Sequence, residues 1–181
     1  MACGICWAVS ACGGDGTDAA RKSHTAEAQP RLVKILAIDG GGARGLIPAL
    51  VLEAIEQKTG QPIHQLFDVV AGTSTGSLIT AMLTVPQPGS EAIRPASAIV
   101  SFYEGEGARR FFDRDAAYVE RASSYEIPSY PASSHIAGIQ GAISSTAMLS
   151  EARTHVAITA YNLSVAPPRT YTFTRWKARH G

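Results

Sequence analysis

The stretch Phe67-Asp68-Val69-Val70-Ala71-Gly72-Thr73-Ser74-Thr75-Gly76 is an apolar run that breaks at one glycine, presents a serine and leaves through a second glycine. It reads as a strand, a sharp turn and the start of a helix. A G-x-S-x-G sequence supports nucleophilic chemistry when the strand-to-helix turn is tight enough to force the serine into a strained backbone conformation, so the flanking residues must be small. Gly72 and Gly76 satisfy that requirement. Leu78, Ile79, Met82 and Leu83 then recur at helical spacing, and Pro86 and Pro88 end the pattern. Ser74 therefore falls at a helix N-terminus, where unpaired N–H groups and the positive end of the helix dipole favour a developing oxyanion. The same small residues would also serve a tight connection with no chemistry, so this motif does not decide function alone.

A second strand-to-helix unit lies upstream. Lys34-Ile35-Leu36-Ala37-Ile38 runs into Asp39-Gly40-Gly41-Gly42-Ala43-Arg44-Gly45, and a helix is predicted from Leu46 to Lys58, with Pro48 tolerated in its first turn. Leu46, Ile47, Leu50, Val51, Ala54 and Ile55 are its predicted inner face, and Gly60 and Pro62 end it. Gly40 to Gly45 fits G-x-G-x-x-G, a common pattern that alone suggests a dinucleotide site; a Walker-type phosphate loop is excluded because no Gly-Lys-Ser/Thr follows. As a pair, D-G-G-G-x-R-G after one strand and G-T-S-T-G after the next resemble the patatin-like phospholipase family in order, spacing and residue identity.

The resemblance implies roles. Ser74 matches the family nucleophile. The Gly40, Gly41 and Gly42 amides, with Arg44, match the oxyanion loop that stabilises the negative oxygen formed when an ester carbonyl is attacked. Asp39 opens the motif and is expected to order the loop by accepting backbone N–H bonds; Gly45, Gly72, Thr73, Thr75 and Gly76 complete the two motifs. The family uses a Ser–Asp dyad, with the Asp in a downstream D-G-G or D-G-A motif. The Asp-Gly pairs here, Asp15-Gly16 and Asp39-Gly40, do not supply it. The chain thus resembles the N-terminal part of the family domain without the dyad Asp, and is expected to be a poor enzyme with an uncovered apolar sheet edge. The implied fold is α/β, a mainly parallel sheet with flanking helices. The implied activity is hydrolysis of phospholipid or other acyl-lipid esters, with no cofactor and no metal. A catalytically inactive fragment and a conventional α/β-hydrolase esterase with a histidine triad are the alternatives.

With 181 residues and a net charge of +1, the chain is at most one domain, and the charge argues against nucleic-acid binding. No run approaches the 18 or more apolar residues of a membrane span, so membrane contact is expected to be peripheral or through an anchor. Residues 1–30 read as a disordered leader or a lipoprotein-like signal and linker, and 31–181 as the partial hydrolase domain. Cys3, Cys6 and Cys12 all lie in the leader. Cys3-Gly4-Ile5-Cys6 lacks a second Cys or His pair for zinc. Val9-Ser10-Ala11-Cys12 resembles a lipobox, with Cys12 as the lipidated residue, although no Lys or Arg precedes it. A membrane-anchored or secreted lipoprotein and a cytoplasmic protein both stay open.

Downstream, a helix is predicted from Ala96 to Tyr103, interrupted by Glu104-Gly105-Glu106-Gly107. Ala108 to Asp115 follows as a helix end with Phe111 and Phe112 as core anchors. Ser123 to Gly141, rich in Ser, Pro and Tyr, reads as an exposed loop near the substrate entrance, containing His135. Thr154 to Leu163 reads as a third, buried strand and Arg169 to Arg175 as a half-buried one, paired as an edge hairpin. His155 is read as structural rather than as a triad base, and His180 as part of an exposed basic tail.

Overall fold

A computed structural model of the chain describes residues 5–10, as backbone only, together with 31–112, 132–162 and 164–181. Among the described residues five strands form one sheet in sequence order: β1 Ile5–Ser10, β2 Val33–Ile38, β3 Val69–Thr73, β4 His155–Asn162 and β5 Arg169–Thr174. The central strands β2, β3 and β4 are parallel, with Leu36 opposite Val70 and Val70 opposite Val156. The edges β1 and β5 run antiparallel to their neighbours. β1 lies inside the tract read as a leader, where the Ile5-Cys6-Trp7-Ala8-Val9 run is of strand-forming types. Cys12 lies outside the described residues.

Among the described residues the helices are α1 Leu46–Thr59, α2 Ile63–Leu66, α3 Thr75–Thr84, α4 Ala96–Glu104, α5 Glu106–Phe111, α6 Ala132–Ile143 and α7 Arg175–His180. Leu36, Ile38 and Val70 from the sheet pack with Ala49 and Leu52 of α1, Ile79 and Leu83 of α3, and Ile99 and Val100 of α4. Gly105 separates α4 from α5, as the glycine interruption predicts. Phe111 and Phe112 pack against the core; residues 113–115 of that predicted segment lie outside the described residues.

Three sequence expectations are corrected. In α1 the buried face is Pro48, Ala49 and Leu52, while Ile47, Leu50 and Val51 stand exposed. Leu46 to Ile55 is apolar nearly all round, so periodicity does not select a face; contact with α4 does. The second correction is α6, which occupies much of the predicted loop from 123 to 141. Its helix packs through small residues rather than an apolar stripe: a Cβ on Gly138 would stand 2.5 Å from the Phe111 ring. Thirdly, β4 is buried only at Val156; its far half, at Ala160 and Tyr161, is exposed, because only the edge strand β5 lies beyond it. Among the described residues no helix is long and apolar enough to cross a membrane.

Candidate active site

The carboxyl ends of β2 and β3 lie side by side, with Ile38 opposite Gly72. The two glycine-containing turns therefore emerge next to each other, at the strand ends where open parallel sheets build their sites. Ser74 separates β3 from α3 with φ 55° and ψ −121°. Serine avoids this region, and the neighbours enforce it. A Cβ on Gly72 would stand 2.2 Å from the Gly76 carbonyl oxygen, and one on Gly76 would stand 2.1 Å from the Ile38 carbonyl oxygen. The Ser77 hydroxyl locks the turn by donating to the Gly72 carbonyl at 2.8 Å. The Ser74 carbonyl accepts from the Ser77 and Leu78 amides, so the helix begins at once. Ser74 itself is exposed.

The glycine loop lies directly against this serine. A Cβ on Gly40 would stand 3.0 Å from the Ser74 Cβ and 3.2 Å from the Thr73 carbonyl oxygen. Gly42 has φ 59°, a left-handed conformation suited to glycine, and opens the turn Gly42–Gly45. Arg44 bends back over the loop: its amide donates to the Gly41 carbonyl at 3.2 Å and its Nε to the same oxygen at 3.4 Å. Gly45 admits the Tyr103 ring and the Thr75 hydroxyl, each within 2.8 Å of where its Cβ would be. Thr75 and Tyr103 are hydrogen-bonded through their hydroxyls in the interior. Burial pushes the Tyr103 phenol above its ordinary pKa, with the Thr75 bond acting the other way. Thr73 meets Thr159 of β4, hydroxyl to hydroxyl, at 2.9 Å.

The expectation for Asp39 is not met. Among the described residues no hydrogen bond is donated to its carboxylate. A different aspartate ties the strands: Asp68 accepts the Lys34 amide at 2.9 Å and pairs with Arg31. Sequence reasoning also missed Glu56, whose two carboxylate oxygens accept the amides of Ile63 at 2.9 Å and Ala96 at 2.7 Å, joining α1 to the starts of α2 and α4. Neither has a sequence signature, since both act on distant backbone. Tyr103 is signalled only by its place in the apolar pattern of α4.

The histidines are dispersed. His155 opens β4 opposite Val69, at the start of β3, while Ser74 follows its end. His135 rests on Phe111 with ring centroids 4.4 Å apart. His180 stacks on Trp176. Burial holds His64, in α2, below its ordinary pKa, and its Nδ1 is buried without a partner among the described residues. Among the described residues no hydrogen-bond partner reaches the Ser74 hydroxyl, and no cluster of His, Cys, Asp and Glu is arranged to hold a metal ion.

A strained, exposed serine at a helix N-terminus, with a glycine loop against it, has the geometry that acyl transfer requires of a nucleophile and oxyanion site. The profile of the patatin-like phospholipase family matches residues 36–177, and the chain belongs to that family. It is similar to Patatin-T5 of Solanum tuberosum, 32% identical over 160 residues that make up 84% of this chain and 39% of that protein. Probable inactive patatin-3-Kuras 1 of the same plant is 31% identical over 160 residues, 84% of this chain and 41% of its own length. Patatin-like protein 2 of Oryza sativa subsp. japonica is 45% identical over 87 residues, 45% of this chain and 22% of that protein. The chain thus spans about two-fifths of the length of the two potato relatives.

Proposed function

We propose that this chain carries the nucleophile and oxyanion loop of a serine acyl hydrolase that cleaves ester bonds of phospholipids or other acyl lipids. Ser74 Oγ attacks the ester carbonyl carbon and loses its proton to a base. The resulting oxyanion is held by amides of the Gly40–Gly42 loop and the first turn of α3, while Arg44 braces that loop through the Gly41 carbonyl. Expulsion of the alcohol leaves an acyl-enzyme that water hydrolyses. The reading invokes no cofactor. The observation that carries it is the positive φ of Ser74 combined with the approach of Gly40.

A second reading, a catalytically inactive protein that keeps the fold, draws on the absence of a hydrogen-bonding base at Ser74 Oγ among the described residues. A fluorophosphonate probe together with hydrolysis of a p-nitrophenyl acyl ester separates the two. The hydrolase reading expects labelling at Ser74, loss of labelling in Ser74→Ala, and ester turnover above the Ser74→Ala background. Labelling that survives in Ser74→Ala overturns the assignment. Labelling at Ser74 without turnover supports the inactive reading.

A further inference from the structure

From His155 onward the chain has four basic residues, Arg169, Arg175, Lys177 and Arg179, and no acidic one; the twelve basic residues before it are outnumbered by all fifteen acidic residues. The same segment exposes large aromatic side chains. Tyr171, Phe173 and Trp176 are 41%, 48% and 64% exposed, and Tyr161 is 61% exposed. Tyr171 and Phe173 share a face of β5, with ring centroids 4.7 Å apart. Lys177 sits over the Tyr171 ring at 4.7 Å and donates to the Thr172 carbonyl at 3.1 Å, holding a cation against the cluster. A depression of about 280 Å³ opens among Ala160, Tyr161, Asn162, Tyr171 and Phe173.

The register fixes where this cluster lies. Thr73 pairs with Thr159, so Ala160, one strand away, and its partner Tyr171, two strands away, stand level with Ser74. At about 4.8 Å per strand, Tyr171 is roughly 10 Å from it. Exposed Tyr and Trp rings flanked by Lys and Arg suit the boundary between lipid headgroups and acyl chains, where rings sit in the interface and cations meet anionic headgroups. The segment runs the length of the β5 edge: Tyr171 stands at the Ser74 end, and α7, with Trp176, follows Thr174, the partner of Ala157, toward the other end. A single-stranded nucleic acid would instead need bases stacked along a continuous basic groove.

We propose that the β5–α7 face docks on an anionic phospholipid surface, with Tyr171 of its β5 part level with Ser74. The choice of lipid over other anionic surfaces rests on the hydrolase reading above. The test is sedimentation of the 181-residue chain with phosphatidylcholine vesicles, with and without phosphatidylglycerol, at low and high salt. Binding is expected only with phosphatidylglycerol, weakened by salt, and accompanied by a blue shift of tryptophan emission that Trp176→Phe removes. Arg169→Gln/Lys177→Gln is expected to lower partitioning about 25-fold, at about fivefold per charge. Tyr171→Ser/Phe173→Ser, also at exposed positions, is expected to weaken binding to the same vesicles with an unchanged circular dichroism spectrum.

The proposal is overturned by no binding, equal binding to neutral vesicles, partitioning unchanged in both double variants, or tighter capture by single-stranded DNA through the same residues. A dimer that buries β5 and excludes vesicles also overturns it. The outcome is separable from the hydrolase reading because Ser74→Ala is expected to bind vesicles like the parent chain. Docking without fluorophosphonate labelling defeats the hydrolase reading alone, and labelling without docking defeats this proposal alone.

Discussion

Gly76 and Ile38 touch backbone to backbone: a methyl group on Gly76 would stand 2.1 Å from the Ile38 carbonyl oxygen. The first turn of α3 is thereby pressed onto the end of β2, and this contact, together with the Gly72–Gly76 approach, holds Ser74 in its conformation. No flexible side chain can yield there, so Gly76→Ala must move the helix or the strand. It is expected to cost about 3 kcal/mol, a fall in Tm of roughly 6–12 °C for a chain of this size. Gly60→Ala is the contrast. Gly60 also has a positive φ, 66°, but nothing lies within 4 Å of its would-be Cβ. It is expected to lose only about 1 kcal/mol, from the left-handed backbone. Thermal melts check the pair, and equal losses would show that conformation, not the close approach, governs the elbow.

Ser74→Gly is expected to stabilise the protein while removing its reactive hydroxyl. Serine at φ 55° and ψ −121° stores strain, typically about 1–3 kcal/mol, and glycine relieves much of it. A rise in Tm of a few degrees over the parent chain, with no rise in Ser74→Ala, is the expected pattern. A fall in Tm in Ser74→Gly would mean that the backbone is relaxed there.

Much of the fold is legible in local sequence. The strand–glycine–helix units around Gly40 and Ser74 announce themselves because tight backbone approaches admit few residue types, and the β4–β5 hairpin shows in its residue types and turn. What stays hidden depends on tertiary partners. The buried side of α1 is chosen by α4, since Ile47, Leu50 and Val51 are as apolar as the Ala49 and Leu52 that are buried. Helix α6 rests on Phe111 through Gly138, while Ile136 and Ile139, which recur at helical spacing, stand exposed, so the apolar pattern does not mark the buried side. Glu56 and Asp68 bind backbone amides 7 to 40 positions away in sequence, where no motif records them. The same distance effect misleads for Asp39, whose motif position suggested a loop-ordering role that the Arg44–Gly41 contacts fill instead.

Asp68 gives a pH signature. The Lys34 amide holds its carboxyl below the ordinary value of 3.8, helped by the charges of Arg31 and Lys34 against the opposing effect of burial. A carboxylate with a depressed folded pKa contributes stability that is complete above its unfolded pKa and is lost as pH falls through the lower folded value. Asp68→Asn is therefore expected to melt lower than the parent chain at neutral pH, and the gap is expected to close as pH falls from about 5 towards 2. Melts of both proteins across that range check it. A gap independent of pH would mean that Asp68 acts through its shape and not its charge.

The position of His155 bears on the choice of base. It pairs with Val69, four residues before Thr73 on β3. At about 3.3 Å per residue the register puts it roughly 13 Å along the sheet from Thr73, and Ser74 lies one residue farther. A general base must come within about 3 Å of the proton it takes, directly or through one water. His155 is also exposed at the opposite end of the strand. His155→Ala is therefore expected to leave the rate of fluorophosphonate labelling at Ser74 within about twofold of the parent and stability within about 0.5 kcal/mol. Gly40→Ala, assayed alongside, is expected to slow labelling by about 10²-fold, because its Cβ would press on Ser74 at 3.0 Å and shift the amides that meet the oxyanion. If His155→Ala abolishes labelling while Gly40→Ala does not, the chain works as a conventional histidine-triad esterase, and the glycine loop has only a structural part in it.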